Sequence, residues 1–392
     1  MQRNVLHLPE ADWYPFFRAG YAFTDLTIHQ QRFRHFGTAS FFQPVDGFVW
    51  AYPAPLAFIY RFLFLFGPYA VGAFCSLSVL IFATAGVWLG RAIRSRGASK
   101  TQTAILIGSG FLLSYPFWFL FERANVEMIN WLLIALGVAA YWNKRWYSAG
   151  AGIGIAISLK IYPFVFLGLL LSARKYRAIV WALIVCAVTS IMSTWILGPT
   201  FSIASSEIAK GIQDFQLHYT LQVNSHHIGF DHSLFAVVKL LTFQDQIPQE
   251  IYYLPILHRY MLITAVAGLV LYFWKIWKLP RTNQILALTI ASILLPPVSY
   301  EYTLIDLYIP WAALVLLSVP MPENRKVPGL VFTFACLAFL MAPMSYLTFH
   351  GVHFGGQLKS LAMLLLFLVA LTYPFPESEL QSKPILVGEA EA

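Results

Sequence analysis

The sequence is poor in charge. Asp, Glu, Lys and Arg make up 11% of its 392 residues, against about 25% in soluble globular domains. That deficit, with a positive mean hydropathy, excludes an ordinary soluble domain and points to a polytopic membrane protein. Cysteine is scarce too. Cys75, Cys186 and Cys336 all sit inside apolar runs, as small core residues do, so no disulfide framework is implied. Acids are fewer than bases, 18 against 26, which leaves a net charge of +8. In a membrane chain that surplus belongs to cytoplasmic loops and not to a nucleic-acid partner. The start shows no cleavable signal peptide. No Gly-rich phosphate loop, Gly-x-Ser-x-Gly elbow, Cys-x-x-Cys pair or His-Glu-x-x-His signature occurs, which leaves the common nucleotide, serine-hydrolase, thiol-redox and zinc motifs without support. An internal repeat of the kind that marks many transporters is missing as well.

What is present is apolar length. Runs fall at 67–90, 102–118, 127–142, 148–158, 161–171, 178–197, 260–277, 283–297, 304–319, 328–345 and 357–374. A shorter one at 54–66 follows Tyr52-Pro53 and carries Arg61, which suits an interfacial helix packed on a bundle. The runs 148–158 and 161–171 are too short to cross alone. Eleven helical residues reach about 17 Å, against a hydrocarbon core of about 30 Å. They form either one crossing or a hairpin of half-crossings, and charge parity decides between the two. Basic clusters stand at Arg91/Arg94/Arg96/Lys100, Lys144/Arg145, Arg174/Lys175/Arg177, Lys275/Lys278/Arg281 and Arg325/Lys326. With a hairpin, all five share one side; with a single crossing, the last three switch. The positive-inside rule selects the hairpin, with Lys160 at its outer tip. The expected fold is all-α, a polytopic membrane helix bundle of about 11 membrane segments. Residues 1–374 form its single transmembrane domain, with 1–66 and the long loop 198–259 outside and 375–392 as a cytoplasmic tail. Gly150, Gly152 and Gly154 alternate inside an apolar helix and read as close helix packing.

On this topology the candidate polar residues gather on the outer face. Asp12 is placed to act as general base toward a hydroxyl, or else is a solvated loop acid. Glu122-Arg123-Ala124-Asn125 precedes a helix on which Glu127 and Asn130 share one face. These residues line a cavity, cap the helix with Asn125, or do both. Lys160 can neutralise a phosphate as a point charge, or snorkel. His226, His227, Asp231 and His232 match no strong zinc spacing, and hydrogen bonding to phosphate or sugar hydroxyls fits them better. Tyr300-Glu301-Tyr302 at a helix entrance is either a sugar-contacting element or part of an aromatic belt.

Four local matches carry a family resemblance. Asp12-Trp13-Tyr14…Arg18-Ala19-Gly20 resembles an Asp-Phe-x-x-Tyr-x-x-Ala-Gly outer loop. Tyr52-Pro53-Ala54-Pro55-Leu56 resembles a Tyr-Pro-Pro segment. Arg123-Ala124-Asn125-Val126, continued to Ser158-Leu159-Lys160-Ile161-Tyr162-Pro163, resembles an Arg-Gly-Gln-x-Asn…Lys-x-x-Pro block. Asp231-His232-Ser233-Leu234 resembles an Asn-Gln-Ser element. Together, over residues 11–320, the chain resembles the GT-C glycosyltransferases, and in particular the bacterial polyprenol-phosphate-mannose-dependent α-mannosyltransferases. The resemblance implies an inverting enzyme in the bacterial inner membrane with its active site on the extracytoplasmic face. It implies no metal or other cofactor. Its partners would be a polyprenyl-phosphate sugar donor, a glycolipid or glycan acceptor and membrane lipids, with no nucleic acid. Asp12 would be the base. Lys160, Arg123 and His227 would hold the donor phosphate. Tyr14, Arg18, Glu122, Asn125, Glu127, His226, Asp231, His232, Tyr300 and Glu301 would contact substrate. Two departures stand out. Ser299-Tyr300-Glu301-Tyr302 replaces a Ser-Trp-x-His-His pattern, and the family's helix before the first outer loop is absent, so that Met1 is expected to be a late start. The rival from another class is a polytopic transporter or lipid flippase, which would place polar groups at mid-membrane and break helices in both halves. A non-catalytic scaffold is the third reading and predicts no cavity near Asp12 and Lys160.

Overall fold

The computed structural model describes residues 22–45, 47, 49–223, 228–242, 249–319, 328–343, 348–349 and 352–375. Helix accounts for 80% of the structure. A short helical turn, Thr24–Thr27, and two 3-10 turns lead to α1 (Ala54–Phe64) and α2 (Ala70–Arg94). Next come α3 (Lys100–Leu112) and α4 (Tyr115–Arg123), bent by 49° against each other. The apolar run 102–118 is thus a broken span, and Pro116 in the first turn of α4 explains the break, because a proline starts a helix more easily than it continues one. Ser99 and Gln102 cap α3 reciprocally in a capping box, which satisfies two backbone donors at its first turn.

Helices α5 (Glu127–Trp142) and α6 (Trp146–Leu159) are followed by Lys160 in extended backbone, a 3-10 turn Tyr162–Phe166 and the short α7 (Leu167–Ser172). This is the expected hairpin, with Lys160 at its tip. Glycine lets α6 sit tightly between neighbours. Gly150 and Gly154 abut the backbone at Ala178 and Ala182 on α8 (Tyr176–Leu197), and Gly152 abuts Leu133 and Gly137 on α5. Small residues four apart on both helices allow that approach. α1 packs against α6 and α8.

The stretch 198–259, read from sequence as a long loop, is largely helical. α9 (Phe201–Phe215) runs into a π turn, Gln216–Thr220; α10 (Leu234–Leu241) follows, and α11 (Gln249–Trp274) begins eleven residues earlier than its apolar run. α9 is amphipathic, so its Ser, Glu and Lys residues read as loop although their period is helical. α12 (Arg281–Leu294), a 3-10 turn Glu301–Leu307, α13 (Tyr308–Ser318), α14 (Pro328–Met341) and α15 (Gly355–Thr372) complete the bundle, with a small ladder pairing Thr348–Phe349 with Val352–His353. Five helices are long and apolar enough to cross a membrane, six if the broken pair counts as one span, and five more apolar helices are shorter. α8 and α11 leave large apolar side chains such as Trp195 and Trp274 exposed, as lipid-facing spans do.

The ends of the bundle differ in charge. At one end Lys175 lies over Trp146, Arg281 lies over Tyr141, and Arg96 donates to the Leu316 carbonyl at 3.0 Å. Asn283 there ties the start of α12 to the end of α15, donating to the Ala370 carbonyl in its last turn and to that of Tyr373 just beyond it. Four of the five basic clusters therefore share this end; the fifth, Arg325/Lys326, lies outside the described residues. The opposite end holds Glu127, Lys160, Asp231 and Glu301.

Candidate functional site

The site starts at the end of α4. Asn125 N–H reaches back to the Leu120 carbonyl and Ala124 N–H to that of Phe121, a Schellman motif with Ala124 in the left-handed region at φ 52°. This reversal throws Arg123 and Asn125 toward one carboxylate. Asp25 Oδ1 accepts from Arg123 Nε at 3.0 Å and Nη2 at 2.6 Å, and its Oδ2 accepts from Asn125 Nδ2 at 2.8 Å. Asp25 is held there from the other side, since Phe23 N–H donates to the Glu122 carbonyl at 2.6 Å. Asn125 Oδ1 accepts from the Glu127 N–H at 2.9 Å, so Asn125 caps α5 and lines the site at once. The cap comes from just outside the helix, the N-cap position itself being Val126.

One turn on, Glu127 gathers three donors. Lys160 Nζ donates to Oε2, and the Tyr162 hydroxyl and Asn130 Nδ2 donate to Oε1. Lys160 remains 17% exposed while Glu127 is fully buried. The lysine also lies 5.2 Å from the centroid of the Tyr302 ring. Asp306 is buried beside this group, in the field of Glu127 and Lys160, and neither of its oxygens has a hydrogen-bond partner among the described residues.

A second buried network backs the first. Glu301 accepts from Lys359 Nζ at 2.6 and 2.9 Å and pairs with His232 Nε2 at 2.9 Å, all three being at most 1% exposed. Asp231 Oδ1 accepts the N–H groups of Ser233 and Ser299, both at 3.0 Å. His232 N–H donates to the Ser299 carbonyl at 2.6 Å, and Ser360 donates to the His232 carbonyl at 2.8 Å. These bonds lock the 228–233 and 299–301 segments to α15. They fix Tyr300 and Tyr302, which flank Glu301, and a stack of Phe230, Phe119 and Tyr302 joins the two networks.

Three half-buried tyrosines, Tyr52, Tyr219 and Tyr302, lie in the electrostatic field of Asp25, and half-buried Tyr300 lies in that of Arg123. Tyr219 is presented by the π turn, whose last carbonyl, Thr220, accepts from the buried Lys239 Nζ at 3.0 Å. Such turns are frequent at functional sites. Burial pushes the Tyr52, Tyr219 and Tyr300 phenols up, with nearby Asp25 adding to it at Tyr52 and Tyr219 and Asp231 at Tyr300. All three stay neutral hydroxyl donors. Behind Tyr52, His29 packs edge-on against Trp50, Tyr52 and Tyr60. Burial, aided by the Arg32 charge, lowers its imidazole to about 3.

Of the residues singled out in sequence, Arg123, Asn125, Glu127, Lys160 and Tyr300 come together at this end. Glu122 is buried at the end of α4. Asp231, His232 and Glu301 are buried in the supporting network. Among the described residues no group of three or more His, Cys, Asp or Glu could hold a metal ion. Asp12, Tyr14, Arg18, His226 and His227 lie outside the described residues. Sequence reasoning did not single out Asp25, Tyr162, Tyr219 or the burial of Lys359. The one signal for Asp25 was its place in the outer segment with an unspent charge.

No curated protein and no solved structure matches the chain. The family profile described as Glycosyltransferase family 87 matches residues 50–299. That span runs from Trp50 and Tyr52, through the Arg123 corner and the Lys160 hairpin, to Ser299. The chain belongs to Glycosyltransferase family 87, and it is a membrane glycosyltransferase of the GT-C type.

Proposed function

We propose that the protein transfers a sugar, mannose by resemblance, from a polyprenyl-phosphate donor to a hydroxyl of a glycolipid or surface glycan. The reaction runs on the extracytoplasmic face of a bacterial inner membrane. The observation that carries the reading is the tip of the hairpin: a partly exposed lysine, held by a buried glutamate, at the end of the bundle opposite the basic clusters. A cation fixed at that depth can meet a lipid phosphate at the membrane surface.

In this reading the acceptor oxygen attacks the anomeric carbon, the bond from that carbon to the phosphate oxygen breaks, and configuration inverts. The hydroxyl proton passes to Asp12. The leaving group is a lipid phosphate anion, which needs positive charge and donors more than a proton. Lys160 supplies the charge, helped by His227, while Arg123 is already paired with Asp25. Tyr14, Arg18, Glu122, Asn125, Glu127, His226 and Tyr300 shape the substrate site, while Asp231, His232 and Glu301 hold it from behind. The scheme requires no metal or nucleotide.

The direct test is purified protein with a panel of polyprenyl-phosphate sugars and release of polyprenyl phosphate as the readout. Release from at least one donor is expected, reduced by Lys160→Ala and abolished by Asp12→Asn with donor binding kept. Absence of release from every donor sinks the reaction, and normal transfer by Asp12→Asn removes Asp12 as base.

A further inference from the structure

We propose that the Asp25–Arg123–Asn125 corner is a subsite for a neutral hexose ring and not for phosphate. The proposal rests on the glycosyl-transfer reading above.

Charge is the first argument. The two Arg123 nitrogens that reach the corner both donate to Asp25 Oδ1, so the guanidinium charge is compensated by a carboxylate in direct contact. An anion entering there would sit against Asp25 or have to displace it, and like charges at such range repel. A polyol meets no such barrier. Carboxylate, guanidinium and amide are planar groups with donors and acceptors spaced for neighbouring hydroxyls, and carboxylate oxygens accept strong hydrogen bonds.

The tyrosines are the second argument. Tyr52, Tyr219 and Tyr302 are only half-buried. Faces of aromatic rings with a hydroxyl at the tip suit a ligand that is apolar on one face and hydrogen-bonding at the edge. Exposure is the third. The Arg123 side chain is 34% and Asp25 13% exposed, against none for Glu127, so the corner is reachable and the network behind it is not. Position completes the case. Tyr302 neighbours Asp25 on one side and lies beneath Lys160 on the other. A phosphate at Lys160 and a sugar ring at Asp25 would thus have Tyr302 as a common neighbour.

The test is saturation-transfer NMR on the full chain in nanodiscs with methyl α-D-mannoside, glucoside and galactoside. Signal is expected for at least one hexoside, unaffected by an equal concentration of inorganic phosphate. Asp25→Asn and Tyr219→Ala, each checked for a wild-type melting curve, should weaken binding about tenfold, the effect of losing one good hydrogen bond or stacking contact. If Asp25→Asn does not fold, Tyr219→Ala carries the same expectation. Absence of hexoside signal, displacement by phosphate, or unchanged binding in the folded variants overturns the subsite. Polyprenyl-phosphate mannose that excludes the hexoside, where bare polyprenyl phosphate does not, assigns the ring to the donor; coexistence of the two assigns it to the acceptor. Hexoside binding is read without turnover. Failure of the subsite and failure of polyprenyl phosphate release are therefore separate results.

Discussion

Glu127 is the residue on which the Lys160 hairpin depends. It is fully buried and takes donors from Lys160, Tyr162 and Asn130. Removing one member of such a pair leaves the other charged and poorly solvated, at a cost of about 3 kcal/mol. Glu127→Gln should lower the melting temperature and disorder the Lys160 amine. Glu127→Gln with Lys160→Met should recover much of the lost stability, though not activity; a double variant no more stable than the single one would show that the pair is not coupled. His29 sets a pH limit. Its imidazole titrates near 6.5 when unfolded and at about 3 when folded. Between those values the unfolded chain takes a proton that the folded chain refuses, so stability falls as pH falls. The loss from this group is about 2 kcal/mol by pH 5, and His29→Phe should flatten that part of a melting-temperature profile. At this scale the sequence was partly legible. Glu127 and Asn130 stand three apart and declare a shared helix face. Asp25 could not be read that way, because its partners Arg123 and Asn125 are about a hundred residues downstream and no local period connects them.

Between residue and fold, the Arg123 corner shows how a turn makes a site. Ala124 occupies a left-handed conformation that favours glycine and is fully buried. The resembled pattern carries glycine at this position, and the φ of 52° gives the reason. A β-branched residue suits neither the backbone nor the space, so Ala124→Val should cost roughly 2 kcal/mol or more. It should also separate Arg123 from Asp25, visible as a lower melting temperature and a loss of transfer together. A neutral outcome would mean that the Schellman turn is not what aims the guanidinium. Element boundaries followed the apolar runs closely, because in lipid length and hydropathy are imposed by the solvent. Two misreadings have physical causes. The break between α3 and α4 is carried by Ser114, Tyr115 and Pro116, and a single proline barely alters an apolar average. α9 balances its apolar face with serines and charges, so composition described it as loop while its period was helical.

For the whole molecule, charge sets the expected orientation in the membrane. The described basic clusters converge on one end and the candidate site on the other, and the positive-inside rule predicts that the site faces outward. In a background with Cys75, Cys186 and Cys336 replaced, Ser206→Cys on α9 should react with an impermeant maleimide added to intact cells. Ser95→Cys beyond α2 should react only after permeabilisation. The reverse pattern would put the site in the cytoplasm and remove an extracytoplasmic lipid donor. The buried triad of His232, Glu301 and Lys359 has a further consequence, in time instead of space. Lys359 belongs to α15, the last helix described, and Glu301 lies beyond the family-matched span that ends at 299. A nascent chain that already contains the Arg123 corner, the Lys160 hairpin and Glu301 still lacks the lysine that pairs with that carboxylate. The order of synthesis thus delays the completion of the triad until α15 is made, and a chain stopped before α15 is expected to fold poorly because Glu301 lacks its lysine partner.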